Sequence, residues 1–186
     1  DKMNNRGMTL MEVLVSLVLI SIVMIFVVNL LSDLKNEDIL SSKRNEDTLT
    51  RASVINVIQG DLINSDNYLE TFIKKSTDSG YTTCSAFKFY NKSSNTHNGI
   101  TKYLCVHDTF IAYGTAGKLE KWDLSYGSYD LSNITYKYVS RVNGNDSPTL
   151  LAIHIPVLGV DSSAKNKYSI ELTALSPSAK FICQDC

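Results

Sequence analysis

Proline is scarce in this chain: three residues of 186, all beyond residue 147. Glycine is scarce too, nine in all, with none between Gly7 and Gly60. These shortages exclude collagen-like and Pro-rich low-complexity classes. They also leave the 52 residues from Met8 to Gln59 without either helix breaker. A dominant charge is missing as well: 18 Lys and Arg stand against 19 Asp and Glu, for a net charge of −1. That argues against a strongly basic nucleic-acid protein and against an acidic disordered tail. Catalytic signatures are equally absent. The histidines His97, His107 and His154 are scattered, with no metal-ligand spacing among them. No Gly-x-Ser-x-Gly elbow occurs. Gly114–Leu119 falls short of a P-loop, because Ala112 stands where the first glycine belongs and Leu119 where Ser or Thr belongs. It predicts a hairpin turn instead. Asp161–Lys167 fails the EF-hand pattern at Ser163 and Lys165. The expectation is a non-enzymatic protein without a cofactor.

What the chain does hold is one long apolar run. Met8–Leu31 has 24 residues, of which 19 are apolar, and Val13–Leu31 is 19 residues without a charge. At about 1.5 Å per residue the uncharged run spans roughly 28 Å, close to the hydrocarbon thickness of a bilayer. Its polar members, Ser16, Ser21 and Asn29, can bond to the helix backbone or to neighbouring helices. Lys2 and Arg6 precede the run, while Asp33, Glu37 and Asp38 follow it. The positive-inside bias therefore places the N-terminus in the cytoplasm and residues 33–186 outside. The sequence after Leu31 is roughly 40% apolar, ordinary for a water-soluble domain. A cleaved secretory signal would have a shorter apolar region and a small-residue cleavage site after it. An uncleaved signal anchor would share the hydropathy profile.

Glu12 separates these readings. A carboxylate deep in an apolar helix costs about 2.5–3.5 kcal/mol, and a simple anchor has no use for one. The residues around it, Arg6-Gly7-Met8-Thr9-Leu10-Met11-Glu12-Val13-Leu14, resemble the processing motif of type IV prepilins and type II secretion pseudopilins. In that family a membrane peptidase cuts after the glycine, the new terminal residue is N-methylated, and an acid stands fifth in the processed chain. The resemblance implies that Gly7 ends the leader, that Met8 becomes the methylated N-terminus, and that Glu12 is the fifth residue. It also implies the partners: a prepilin peptidase/methyltransferase, other pilin subunits, the assembly machinery and the cytoplasmic membrane. In a helical assembly the freed Met8 ammonium and a neighbour's Glu12 would both be desolvated. Their pairing would set register between subunits. The helix lacks the mid-helix proline common in major pilins.

Beyond the membrane run, Leu34, Ile39, Leu40, Leu49, Val54, Ile55, Val57, Ile58, Leu62 and Ile63 recur at three- and four-residue spacing. This predicts an amphipathic continuation to about Asn64, with a break near residues 36–46 and a weak point at Gly60. Thr48–Leu62 resembles the Arg…Ile…Asp-Leu stretch of J-type minor pseudopilins, and a plain amphipathic helix describes it equally well. From residue 81 the period becomes two. Strands are expected at 86–90, 100–106, 109–113, 118–124, 133–142, 150–158 and 168–172. Loops are expected at 76–80, 91–98 and 143–148, and Pro156 implies an edge strand or a bulge. The expected fold is α+β and pilin-like, a long N-terminal helix, half in the membrane and half amphipathic, packed on an antiparallel sheet. The expected divisions are a leader at 1–7, a transmembrane and assembly helix at 8–31, and an extracytoplasmic domain at 32–186.

Four cysteines in an exported domain favour disulfides. Cys84 and Cys105 fall in neighbouring strands, which selects that pair and leaves Cys183 and Cys186 to close a short terminal loop. Zinc is the rival, since Cys183-x-x-Cys186 is half of a zinc knuckle, and free thiols are the third alternative. Lysines spread over the domain, with Tyr90, Tyr103 and Tyr136 among them, could form a DNA-contacting face. However, residues 33–186 hold 16 basic and 17 acidic groups, so there is no net attraction to phosphate. The expected protein is a minor pilin or pseudopilin, membrane-anchored first and then part of a surface filament. The alternative is a signal-anchored extracytoplasmic binding or sensor module.

Overall fold

A helix with no internal breaker has little reason to stop, and this one does not. In the computed structural model, which describes residues 9–63, 67–76, 84–91, 99–139, 149–159, 168–176 and 180–182, helix α1 runs unbroken over Leu10–Leu62. The break expected near residues 36–46 is absent. That polar stretch contains no Gly or Pro, and helix-forming Lys and Glu simply meet solvent. The helix also passes through Gly60, two residues before its end. The chain divides into two units, Asp1–Lys43 and Arg44–Cys186.

In the first unit the helix exposes its apolar side chains on every side, from Leu10 to Leu31. Its hydroxyls turn inward on the helix itself. Ser16 Oγ donates to Glu12 O at 2.8 Å and Ser21 Oγ to Leu17 O at 2.8 Å. Those two donors are thereby spent within one helix.

Among its described residues the second unit carries ten strands. They are β1 (Asn67–Ser76), β2 (Cys84–Asn91), β3 (Ile100–Val106), β4 (Phe110–Thr115), β5 (Lys118–Asp123), β6 (Ser128–Tyr129), β7 (Thr135–Val139), β8 (Thr149–Leu158), β9 (Tyr168–Ser176) and β10 (Lys180–Ile182). Two sheets form rather than one. The first has the order β10-β1-β2-β3-β4-β5, antiparallel except for the parallel β1–β10 pair. The second has β8 at its centre, with β9 along one side and β6 and β7 along the other. The β4–β5 turn confirms the hairpin read at Gly114–Leu119: Thr115 faces Lys118, and Gly117 adopts φ +77°, which favours glycine. Of the expected loops, Ser76 and Asn91 end strands. Residues 77–80, 92–98 and 143–148 lie outside the described residues, as do Asp161–Lys167.

Pro156 lies in the central strand of its sheet, not at an edge. It pairs with Ser169 on one side and accepts a hydrogen bond from Asp130 N–H at 2.9 Å on the other. In an antiparallel strand a residue's N–H and C=O point the same way. The missing N–H of Pro156 therefore faces the gap between β7, which ends its pairing at His154, and β6, which begins at Val157. No ladder bond is lost there.

One main core joins the sheets to the helix. Val54, Ile58 and Leu62 of α1 are buried with Leu69, Phe72, Phe87, Leu104 and Ile111 of the first sheet and Leu151, Ile153, Ile155, Ile170 and Leu172 of the second. The helical stripe is narrower than expected. Positions four apart stay on one face, whereas Leu49 and Ile63 rotate away at about 100° per residue, and they are 71% and 66% exposed. Strand alternation sends Ala86, Tyr103, Cys105 and Ala112 to the opposite face of the first sheet, where they form a smaller cluster with Cys84.

Polar contacts fix the helix on this core. Gln59 Nε2 donates to Thr173 O at 2.6 Å, and Thr173 N–H donates to Gln59 Oε1 at 2.9 Å. Lys102 pairs with Asp61 at 2.5 Å. Asp47 accepts the N–H groups of Ser125 at 2.6 Å and Tyr126 at 2.9 Å, while Arg44 lies 5.7 Å from the Tyr126 ring centre. Burial raises the Asp47 carboxyl above its ordinary value, against the lowering pull of those two donors. Burial likewise pushes the Tyr113 hydroxyl far up, with the nearby Asp61 charge adding to it.

The stripe makes a direct test. Ile58→Ala should cost about 2–5 kcal/mol, the usual range for emptying a filled core site. Leu49→Ala should stay within about 0.5 kcal/mol of the parent. Denaturant unfolding of both variants in the same detergent checks the pair.

Candidate functional site: the amino-terminal helix

The first turn of α1 is built by Thr9. Its carbonyl accepts the N–H groups of Glu12 at 2.9 Å and Val13 at 3.2 Å, which places Thr9 at the N-cap and Glu12 third in the helix. Thr9-x-x-Glu12 is the spacing of a capping box. A carboxylate there also meets the positive end of the helix dipole. The position of Glu12 in the first turn is thus one that suits a carboxylate within its own chain, which the sequence reading, concerned with pairing between subunits, does not include. The signal was present as a threonine three residues before a glutamate ahead of an apolar run. Gly7 and Met8, the processing residues, lie outside the described residues. Past Glu12 the helix carries no charge until Asp33, and it is long and apolar enough to cross a membrane.

The other candidate residues resolve into structure. Cys84 and Cys105 form a disulfide with Cα atoms 4.4 Å apart. They extend the β2–β3 register one step beyond Ser85–Leu104, and the short Cα separation is that of a non-hydrogen-bonded antiparallel pair. Cys183 and Cys186 lie outside the described residues, as does His97. No group of three or more His, Cys, Asp or Glu side chains converges among the described residues. His107 stacks on Phe110 with ring centres 4.4 Å apart, and His154 pairs with Glu171 on the neighbouring strand. Of the stretch resembling J-type pseudopilins, Ile58 and Leu62 fill the core and Asp61 holds Lys102. Two of the three aromatic members of the DNA-facing expectation do not offer open stacking surfaces. Tyr103 is buried, and the Tyr136 ring lies against Phe72 and under Lys74.

Residues 2–28 match the prokaryotic N-terminal methylation motif family. No curated protein and no solved structure matches the chain at a significant level. The motif supports the type IV pilin and pseudopilin family and marks a precursor of that type. The motif points to a structural subunit rather than an enzyme, and the α+β architecture with its long N-terminal helix is pilin-like. Membership of that family implies interaction with other pilin subunits and with assembly machinery, and the apolar helix together with the motif supports anchoring in a membrane.

The disulfide closes a span of 21 residues. Replacing both Cys84 and Cys105 by Ala should lower unfolding free energy by about 3 kcal/mol through regained chain entropy. Unfolding of the oxidised parent and the double variant under identical conditions measures the difference.

Proposed function

We propose that the chain is a minor type IV pilin or pseudopilin that assembles non-covalently into a surface filament, or primes one, after cleavage between Gly7 and Met8. The observation that supports this most is the methylation motif followed by a carboxylate, Glu12, in the first turn of a helix that stays uncharged until Asp33. On this reading residues 1–7 are the leader, 8–31 the membrane and assembly helix, and 32–186 the extracytoplasmic domain. The prepilin peptidase/methyltransferase releases and methylates the Met8 amine, which keeps its positive charge. That ammonium pairs with Glu12 of an adjacent subunit as the helices leave the cytoplasmic membrane and pack together. Pairing removes the cost of holding either charge alone in an apolar surround. A signal-anchored sensor has the same hydropathy but needs neither the cut nor the pair.

Intact mass of protein extracted from membranes should show a chain beginning at N-methyl-Met8. A chain that retains its first seven residues overturns the reading. Two variants separate charge pairing from helix capping. Glu12→Gln keeps a side chain suited to the third helical position, whereas Glu12→Val removes both roles. Membrane insertion should survive in each, and filament incorporation should fall in each by about tenfold or more, as an unpaired desolvated ammonium requires. Normal incorporation of Glu12→Gln, scored on sheared filaments, would remove the charge from the mechanism.

A further inference from the structure

A cavity of about 370 Å³ opens where residues of the two sheets meet, lined by Lys74 and Lys75 of β1, Ser85 of β2, Leu104 of β3, and Ile134 and Tyr136 beside and within β7. Consecutive strand residues ordinarily point to opposite faces. Lys74 and Lys75 do not, because β1 carries one extra residue between Ile73, which faces Ala86, and Ser76, which faces Cys84. The bulge sets both lysines against Ser85 alone, and both reach the same cavity. The surround is firm. Ser85 is 4% exposed, donates to Lys74 O at 3.1 Å, and lies 3.2 Å from the Tyr136 hydroxyl. Lys74 Nζ sits 5.5 Å from the Tyr136 ring centre. Lys74 and Lys75 are the cationic members of its lining, no carboxylate is among the described residues that line it, and most of the remaining wall is aliphatic.

We propose that this cavity binds a carboxylate carried on an apolar body, with the lysine pair holding the charge and the aliphatic wall the body. Its volume is at the small end of ligand sites, which run from about 300 to 1,000 Å³, and suits one ring with a short acid tail. The same chemistry is offered by a free small acid and by the last residue of a protein chain. The site does not involve Glu12 and stands whether or not the chain polymerises.

The full chain in detergent micelles is titrated calorimetrically with three probes: hydrocinnamate, a tetrapeptide ending in phenylalanine with a free carboxylate, and hydrocinnamamide. At least one carboxylate should bind saturably, and the amide should bind about tenfold more weakly or worse, as loss of a charge-assisted contact requires. Tighter binding of hydrocinnamate assigns the site to a small acid, and tighter binding of the peptide assigns it to a chain terminus. Lys75 is exposed, so Lys75→Gln leaves the fold and its Tm intact while weakening the carboxylate about tenfold. Lys75→Arg should retain most of the affinity. No saturation with either carboxylate, equal affinity for the amide, or unchanged affinity in Lys75→Gln overturns the proposal.

Discussion

An α-helix closes its own backbone hydrogen bonds, and α1 depends on that property throughout. Only its side chains need to change with the surroundings. From Val13 to Leu31 they are uncharged and almost wholly apolar, as lipid demands. From Arg44 onward the same helix supplies three residues to a protein core and anchors itself with an amide, a carboxylate and a salt bridge. Because Gly and Pro are withheld between Met8 and Gln59, nothing in the backbone marks where one regime ends and the other begins.

Glu12 is the point at which this economy is broken. A capping box explains why a carboxylate is tolerated in the first turn, since dipole and N-cap both favour it there. It does not explain why the methylation motif surrounds it, and the proposed pairing partner in a packed assembly would. The two roles are compatible. In a lone precursor the acid would sit at the favourable end of the helix dipole, and an assembled subunit would use the same acid to fix its height against a neighbour. The serines nearby contribute little to such an interface, because Ser16 and Ser21 already bond to their own helix. Asn29 is the polar group of the segment left facing outward.

Much of the fold was legible wherever alternation is undisturbed. β3 coincides with the expected run Ile100–Val106, and β8 begins one residue before its expected start. The pairing of Cys84 with Cys105 followed from placing two such strands side by side. β1 was not legible, and the reason is physical. Extra residues shift its register between Leu69 and Thr71 and again between Ile73 and Ser76, so the buried Leu69 and Phe72 fall three apart instead of two. The lysine pair of the cavity was hidden for the same reason, since the second shift is what brings two adjacent lysines to it. β6 and β10, with two and three residues, are too short to show any period. Pro156 misled because sequence cannot reveal that β8 changes partner beside it. At the amino terminus the motif was plain, whereas the capping role of Thr9 was masked by the more conspicuous acid.

The contact between Gln59 and Thr173 has a chemical consequence of its own. Among the described residues β8 is the one strand that pairs with β9, and on the other side the Gln59 amide meets Thr173 with one donor and one acceptor, as a neighbouring strand would. Such mimicry depends on a nitrogen that water can slowly remove. Hydrolysis of the amide would leave a carboxylate facing the Thr173 carbonyl, exchanging attraction for repulsion at the seam between helix and sheet. A long-lived extracellular polymer built from this subunit would therefore carry a clock in that one side chain, with older molecules loosening where α1 meets β9.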